Sequence, residues 1–451
     1  MFYNDLGKSR QNLEWVGAIR GGHVGSGPKK AGLLARTRVR SGVAALALAL
    51  LLPGITHAAG LLNLNTSLGI TGRYDSNANV QAQAGQGDQA FTFTPSVSLG
   101  LTELRWSLTG NASYGLRRYG AERNLDNESI RLGLGGQRAL TERLSASGSA
   151  SFSQDVTLLT PGEAATSAEV VPTADLERVP STRKNYGWGG GLSYALSERD
   201  SLGASYSHSR VTYGFAGYTA SQSNSFGLSL SRALATQRDS LSFSTSYSTN
   251  DSDVSHVKNY GASLGWSHSL SETWSLSANL GPRYTQTRQL RAVLELVFVP
   301  GADPPFEVVS RSAEDLFASW GVEGSLRVSH GGERSTFGLG YQRSLSYSAF
   351  GEARESDSLS ANYSYRLMER LSLGLTTGLS LSRSAAGNET EGGYWRSYRA
   401  SSSLSYSFMM HHSLQVGCSY NRDVLAGSEG TVNRYGVFLT VNLAFPRQFD
   451  I

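Results

Sequence analysis

The chain has 451 residues, of which 39% are apolar, with mean hydropathy −0.26, and Gly and Tyr are plentiful (51 and 21) while Met and Cys are scarce (4 and 1). A helical membrane protein is excluded, because each span needs about 20 consecutive apolar residues and the sustained apolar run Val43 to Leu52 is half that. The formal charge of +4 does not point to nucleic acid: residues 1–58 carry eight of the 40 basic and two of the 36 acidic residues, which leaves 32 against 34, and such a balance attracts no polyanion over long range.

The first element in chain order is a targeting segment. Lys29, Lys30, Arg36, Arg38 and Arg40 precede the apolar run, and Thr56-His57-Ala58 follows it with the small flanking residues that signal peptidase requires. Residues 1–58 are therefore expected to be a signal peptide with an extended N-terminal region, and residues 59–451 the exported domain. Cys418 is the single cysteine, which rules out an internal disulfide, and no CxxC pair exists for metal or haem.

From residue 60 onward the dominant pattern is strict alternation of apolar or aromatic residues with Ser, Gly, Asn, Thr or Arg, the signature of strands whose faces meet different solvents. In Leu241 to Ser248, Leu241, Phe243, Thr245 and Tyr247 face one way and four serines the other. The dyad recurs in Trp106 to Tyr114, Tyr186 to Leu196, Leu202 to His208, Tyr260 to Leu270, Trp320 to Val328, Phe337 to Leu345, Leu371 to Leu381, Leu404 to Phe408 and Tyr435 to Phe445, among about eighteen such segments.

The connections alternate in length. Short turns around Glu103 and at 139–144, 195–200, 233–239, 270–274, 330–334, 367–370 and 409–412 interleave with longer polar loops near 76–88, 120–125, 159–182, 214–220, 250–256, 287–313, 348–355, 382–392 and 423–431. A bilayer offers no water to free backbone groups, so strands cross it only in a closed sheet. The expected fold is all-β: a transmembrane antiparallel up-and-down β-barrel of about 18 strands in a bacterial outer membrane, with short periplasmic turns and long extracellular loops. A soluble sandwich or solenoid is the structural alternative, but it would not need loops of alternating length. The apolar pair "VLELVFVP" and "PPFEVVS" within 287–313 either extends the strands or folds inward as a constriction.

One face carries an aromatic belt that includes Tyr74, Trp106, Tyr114, Trp188, Tyr206, Trp266, Trp320 and Tyr406, suited to the headgroup level. Arg343 and Arg396 share its parity, which rim snorkelling tolerates. The other face is walled by small residues such as Ser145, Ser147, Ser149 and Ser151, so a barrel of this strand number should enclose a wide aqueous lumen. Arginines recur on that face at Arg73, Arg105, Arg117, Arg131, Arg283, Arg327, Arg366, Arg399 and Arg434, with Glu323 a rare acidic counterpart. They predict an electropositive, anion-contacting lining, although any single one equally fits a structural pair with a carboxylate.

No catalytic constellation is present. None of the histidines beyond the signal, 208, 256, 268, 330, 411 and 412, lies in a GxSxG-like elbow or an HExxH helix, and neither a metal site nor a cofactor is expected. The first hairpin, "GITGRYDSNANV" followed by "FTFTPSVSLGL", together with the repeated "LTER"-type turns, resembles the outer-membrane β-barrel porin family of exopolysaccharide gene clusters. That resemblance implies a conduit through which a secreted polysaccharide passes, beside a periplasmic polysaccharide export protein. It carries over no binding residue. The leading expectation is thus a non-enzymatic, monomeric export conduit for an acidic exopolysaccharide. The alternative is a general diffusion porin for small anionic solutes, with a surface enzyme or adhesin third.

Overall fold

The computed structural model describes residues 61–78, 85–157, 181–214, 218–236, 238–298, 306–347, 353–384, 395–425 and 431–450. The expected signal peptide, most of the 159–182 loop and the tips of several other loops lie outside them. Eighteen strands run in chain order: β1 (Leu61–Asp75), β2 (Asp88–Thr102), β3 (Trp106–Tyr119), β4 (Asn127–Ala139), β5 (Leu144–Thr157), β6 (Ser181–Ala195), β7 (Asp200–Tyr213), β8 (Ser221–Ala233) and β9 (Asp239–Ser252) form the first half. The second half is β10 (Ser255–Ser269), β11 (Trp274–Phe298), β12 (Phe306–Gly331), β13 (Ser335–Tyr347), β14 (Ala353–Met368), β15 (Leu371–Ser384), β16 (Trp395–Met409), β17 (His412–Leu425) and β18 (Thr431–Asp450). Each pairs antiparallel with its sequence neighbours, and β18 returns to β1 through fifteen paired positions, Leu61↔Asp450 to Asp75↔Gly436. The sheet is a closed up-and-down barrel, so neither terminal strand is left with a free edge.

Alternation explains the two faces. Trp188, Tyr206, Phe226, Phe243, Leu264 and Trp320 are all exposed on the outward side, as an apolar bilayer solvent rather than a dry core requires. Inward, neighbouring strands are tied by hydroxyl pairs, including Ser201–Ser231 at 2.6 Å, Ser240–Ser267 at 2.7 Å and Ser275–Ser329 at 2.6 Å. The repeated turns have a common mechanism. The Thr141 hydroxyl accepts the backbone N–H groups of Arg143 and Leu144 at 3.2 and 3.0 Å, Ser197 those of Arg199 and Asp200 at 3.1 and 3.0 Å, and Ser271 those of Thr273 and Trp274 at 3.2 and 3.1 Å. In these three turns a Ser or Thr after the leucine thus satisfies donors that the ladder cannot.

Three expectations about the chain's course are corrected. The 287–313 segment is not a loop: β11 and β12 stay paired up to Val297↔Glu307 and Phe298↔Phe306, so this hairpin extends the strands. The 250–256 segment is not long either, because only Asp253 and Val254 separate β9 from β10; its polar residues continue the ladder, with His256 opposite Asp251 and hydrogen-bonded to it. The last strand does not stop at Phe445. It runs through Pro446, opposite Asn65, to Asp450, and places Phe449 on the outward face.

The β10–β11 register is interrupted between Gly261↔Arg283 and Leu264↔Leu280. Pro282 offers no N–H there, and a Cβ on Gly281 would overlap the Ala262 carbonyl. Gly281→Ala should therefore cost about 1–3 kcal/mol and lower the temperature at which the folded, fast-migrating form is lost on unboiled gels; an unchanged transition would refute this close approach.

Candidate functional site: the arginines of the inner wall

Parity places a side chain on a face but not at a height, and the nine arginines separate into groups. Arg73 on β1, Arg117 on β3 and Arg399 on β16 share one region, towards the loop end. Arg73 and Arg117 line one recess with Thr92, and Arg73 and Arg399 line a second of about 420 Å³ with Asn421; Phe438 of β18 belongs to both. Arg434 lies on β18 opposite Asn421 and is 6% exposed. Its charge and that of Asp423 both act on Arg399. Arg73 Nε holds Asp75 at 3.0 Å, and Arg117 Nε donates to Thr92 Oγ1 at 3.2 Å. The Arg399 Nε and Nη2 atoms are buried with no hydrogen-bond partner, which costs free energy. Among the described residues the four guanidiniums outnumber the three carboxylates of Asp75, Asp88 and Asp423 in this region.

Phe438 was missed by the sequence reading, although the signal was there: Val437-Phe438-Leu439 breaks the alternation, and the middle residue must point inward. Gly417 opposite makes room, since a Cβ there would press on the Phe438 ring. Among the described residues the ring is the one aromatic side chain lining the larger recess.

The other arginines lie elsewhere. Arg131 on β4 faces inward between Ser113 and Ser153, and Arg327 on β12 between Ser277 and Gly340. Arg366 is two residues from the end of β14, at the short-turn rim. Arg105 is corrected outright: it sits in the turn between β2 and β3, exposed, where its carbonyl accepts the Ala139 N–H at 2.8 Å, so it is no wall residue.

Arg283 is also corrected. It keeps inward parity on β11 but is only 2% exposed, and so does not offer itself to a solute. Its Nη1 meets Glu323 Oε1 at 3.3 Å, its Nη2 meets Glu355 Oε1 at 2.8 Å and its Nε donates to Thr285 at 3.2 Å. The other oxygen of Glu355 accepts Arg343 Nη2 at 2.9 Å and Arg383 Nη2 at 2.6 Å, and Arg343 also lies 3.8 Å from Asp357. Arg343, expected to snorkel at the rim, thus belongs to an ion-pair cluster.

The cluster exists because the sheet overlaps itself. The β12–β13 register ends at Gly324↔Arg343, while β12 continues with β11 and β13 with β14. Past this split, outward-parity residues of β13–β14 (Arg343, Tyr347, Glu355) meet inward-parity residues of β10–β12 (Asn259, Arg283, Glu323). Asn259 Nδ2 donates to the Tyr347 hydroxyl at 2.6 Å. The loop end of β13–β14 therefore leans into the mouth of the barrel.

Among the described residues no group of three His, Cys, Asp or Glu side chains is placed to hold a metal ion. No protein-family model matches the chain, and no curated protein matches it. Solved structures similar to it include OccAB4 of Acinetobacter baumannii (14% identity, 88% of this chain and 100% of that one, TM-score 0.44) and the outer membrane protein OpdK of Pseudomonas aeruginosa (14%, 85% and 99%, TM-score 0.41). The ferric-catecholate import receptor Fiu of E. coli K12 in its open form is another (8% identity, 85% of this chain and 81% of that one, TM-score 0.47). Likenesses of this size say nothing about solute or partner.

Proposed function

We propose that the chain is a monomeric, non-enzymatic channel of the bacterial outer membrane, exported by its signal peptide, through which small anionic solutes diffuse passively. The collar of Arg73, Arg117 and Arg399, with the buried Arg434 adding charge beside Arg399, carries this reading. A guanidinium binds carboxylate or phosphate oxygens with paired donors, and a recess of about 420 Å³ is on the scale of a small-molecule site. The β13–β14 end narrows the mouth, which suits a small solute better than a polymer.

Export of an acidic exopolysaccharide, with a periplasmic export protein as partner, is the second reading. The ladder of serine hydroxyls on the inner wall favours it, since hydroxyls slide along a sugar chain without holding it.

The deciding measurement is the reversal potential of the reconstituted barrel across a salt gradient. Steady conductance with anion preference supports the diffusion channel. A silent barrel, together with periplasmic polymer accumulating in a deletion strain, would replace it with the conduit. Phe438→Ala should raise single-channel conductance and leave the reversal potential unchanged, because it removes bulk but no charge; unaltered conductance would show that the ring is not at the narrow part of the path.

A further inference from the structure

The overlap at the β12–β13 split puts a charged cluster where a continuous barrel wall would have only a ladder. Arg283, Arg343 and Arg383 face Glu323, Glu355 and Asp357, and Glu355 alone touches all three guanidiniums. Space for this meeting is built into the backbone: a Cβ on Gly321 would stand 2.6 Å from Arg283 Nη2 and 3.1 Å from Glu355 Oε1. The opposite face of the same β13–β14 end presents Ser344, Ser346 and Ser356 to the recess that holds Arg73, Arg399 and Phe438. One side of this end is thus bound to the wall, and the other forms part of the path.

We propose that the cluster is a latch, which holds the β13–β14 end inward and so sets the size limit for solutes. The inference rests on the reading of the barrel as a channel. Ion pairs suit a latch because their loss is abrupt. Removing one partner of a buried pair leaves the remaining charges uncompensated, and separation then becomes favourable. Apolar packing would instead loosen by degrees. Glu355 is the residue whose neutralisation releases most, since it removes three ion pairs at once and leaves Glu323 and Asp357 facing Arg283, Arg343 and Arg383.

Val257 is 0% exposed on the same inward face as Asn259, two residues away, which bonds Tyr347 of the β13–β14 end, and is chosen as the reporter. In a Cys418→Ser background, the Val257→Cys thiol of the reconstituted full chain is exposed to a water-soluble maleimide, with and without Glu355→Gln. The latch predicts slow labelling with Glu355 present, at least tenfold faster labelling with Glu355→Gln, and entry of larger neutral sugars in vesicle-swelling assays. Gly321→Leu, which wedges Arg283 from Glu355, should do the same and serves if Glu355→Gln does not fold; migration of the unboiled barrel shows which variants are closed. Rapid labelling while Glu355 is intact, or folded variants that alter neither labelling nor sugar entry, would overturn the latch and leave a fixed wall. Cation preference of the wild-type pore would refute the anion channel instead, and the labelling result would still decide the latch.

Discussion

Replacing Arg73, Arg117 and Arg399 together by Gln should abolish the anion preference of the pore while the barrel still folds. At an effective dielectric constant of about 20, one charge about 10 Å from a passing ion contributes about 1.7 kcal/mol. Losing three, even heavily screened by salt, should change the anion-to-cation permeability ratio at least about tenfold. Asp75, Asp88 and Asp423 remain after the substitution against Arg434 alone, so the selectivity should approach neutrality or reverse. Reversal potentials at low and high salt check this, and the effect should shrink as salt rises. Arg366→Gln, at the rim, is the control and should shift the potential far less. Equal effects from rim and collar would mean that selectivity is a property of net charge rather than of the recess.

The second large effect concerns the outward face. Leu264 lies near the middle of β10 and is 68% exposed, so Leu264→Arg sets a guanidinium against hydrocarbon, at a cost of about 2–4 kcal/mol at the bilayer midplane. Urea titration of the barrel in lipid vesicles should show that loss. Ser207→Arg on the inward face of β7 should leave the midpoint nearly unchanged and lower conductance instead. Matching losses would refute the assignment of faces.

The barrel was legible in the sequence because a strand between lipid and water must alternate with period two, and every residue reports on that alternation. Three of the turns were legible too, since a hydroxyl after leucine marks the tips at Thr141, Ser197 and Ser271. The height of each arginine was not legible: parity put Arg105 and Arg366 on one footing with Arg73, although a residue of the short-turn end contributes nothing to a collar at the loop end. The overlap was harder still. Whether β13 stays beside β12 depends on where their ladder ends, at Gly324↔Arg343, and no local pattern states this. Yet an oblique sign existed, because Arg343, Glu355, Asp357 and Arg383 all fall at outward parity on three consecutive strands. Charge so concentrated against hydrocarbon is costly, which is reason enough to look for a face turned away from lipid. The extension of β11–β12 was one of two open alternatives, and the inward lean that the other supposed for it belongs to the next hairpin.

The β1–β18 seam also bears on how the molecule is made. Its paired residues are separated by up to 389 positions in the chain, Leu61 to Asp450, whereas every other ladder joins sequence neighbours. Local hairpins can form early and reversibly, but contacts of such separation carry a large closure entropy and set the pace of folding. Until the seam forms, β1 and β18 each present an unpaired edge that hydrocarbon cannot solvate. Maturation should therefore end in a single slow closing event, and a chain arrested before it would be captured by other strands rather than remain as a partly open barrel.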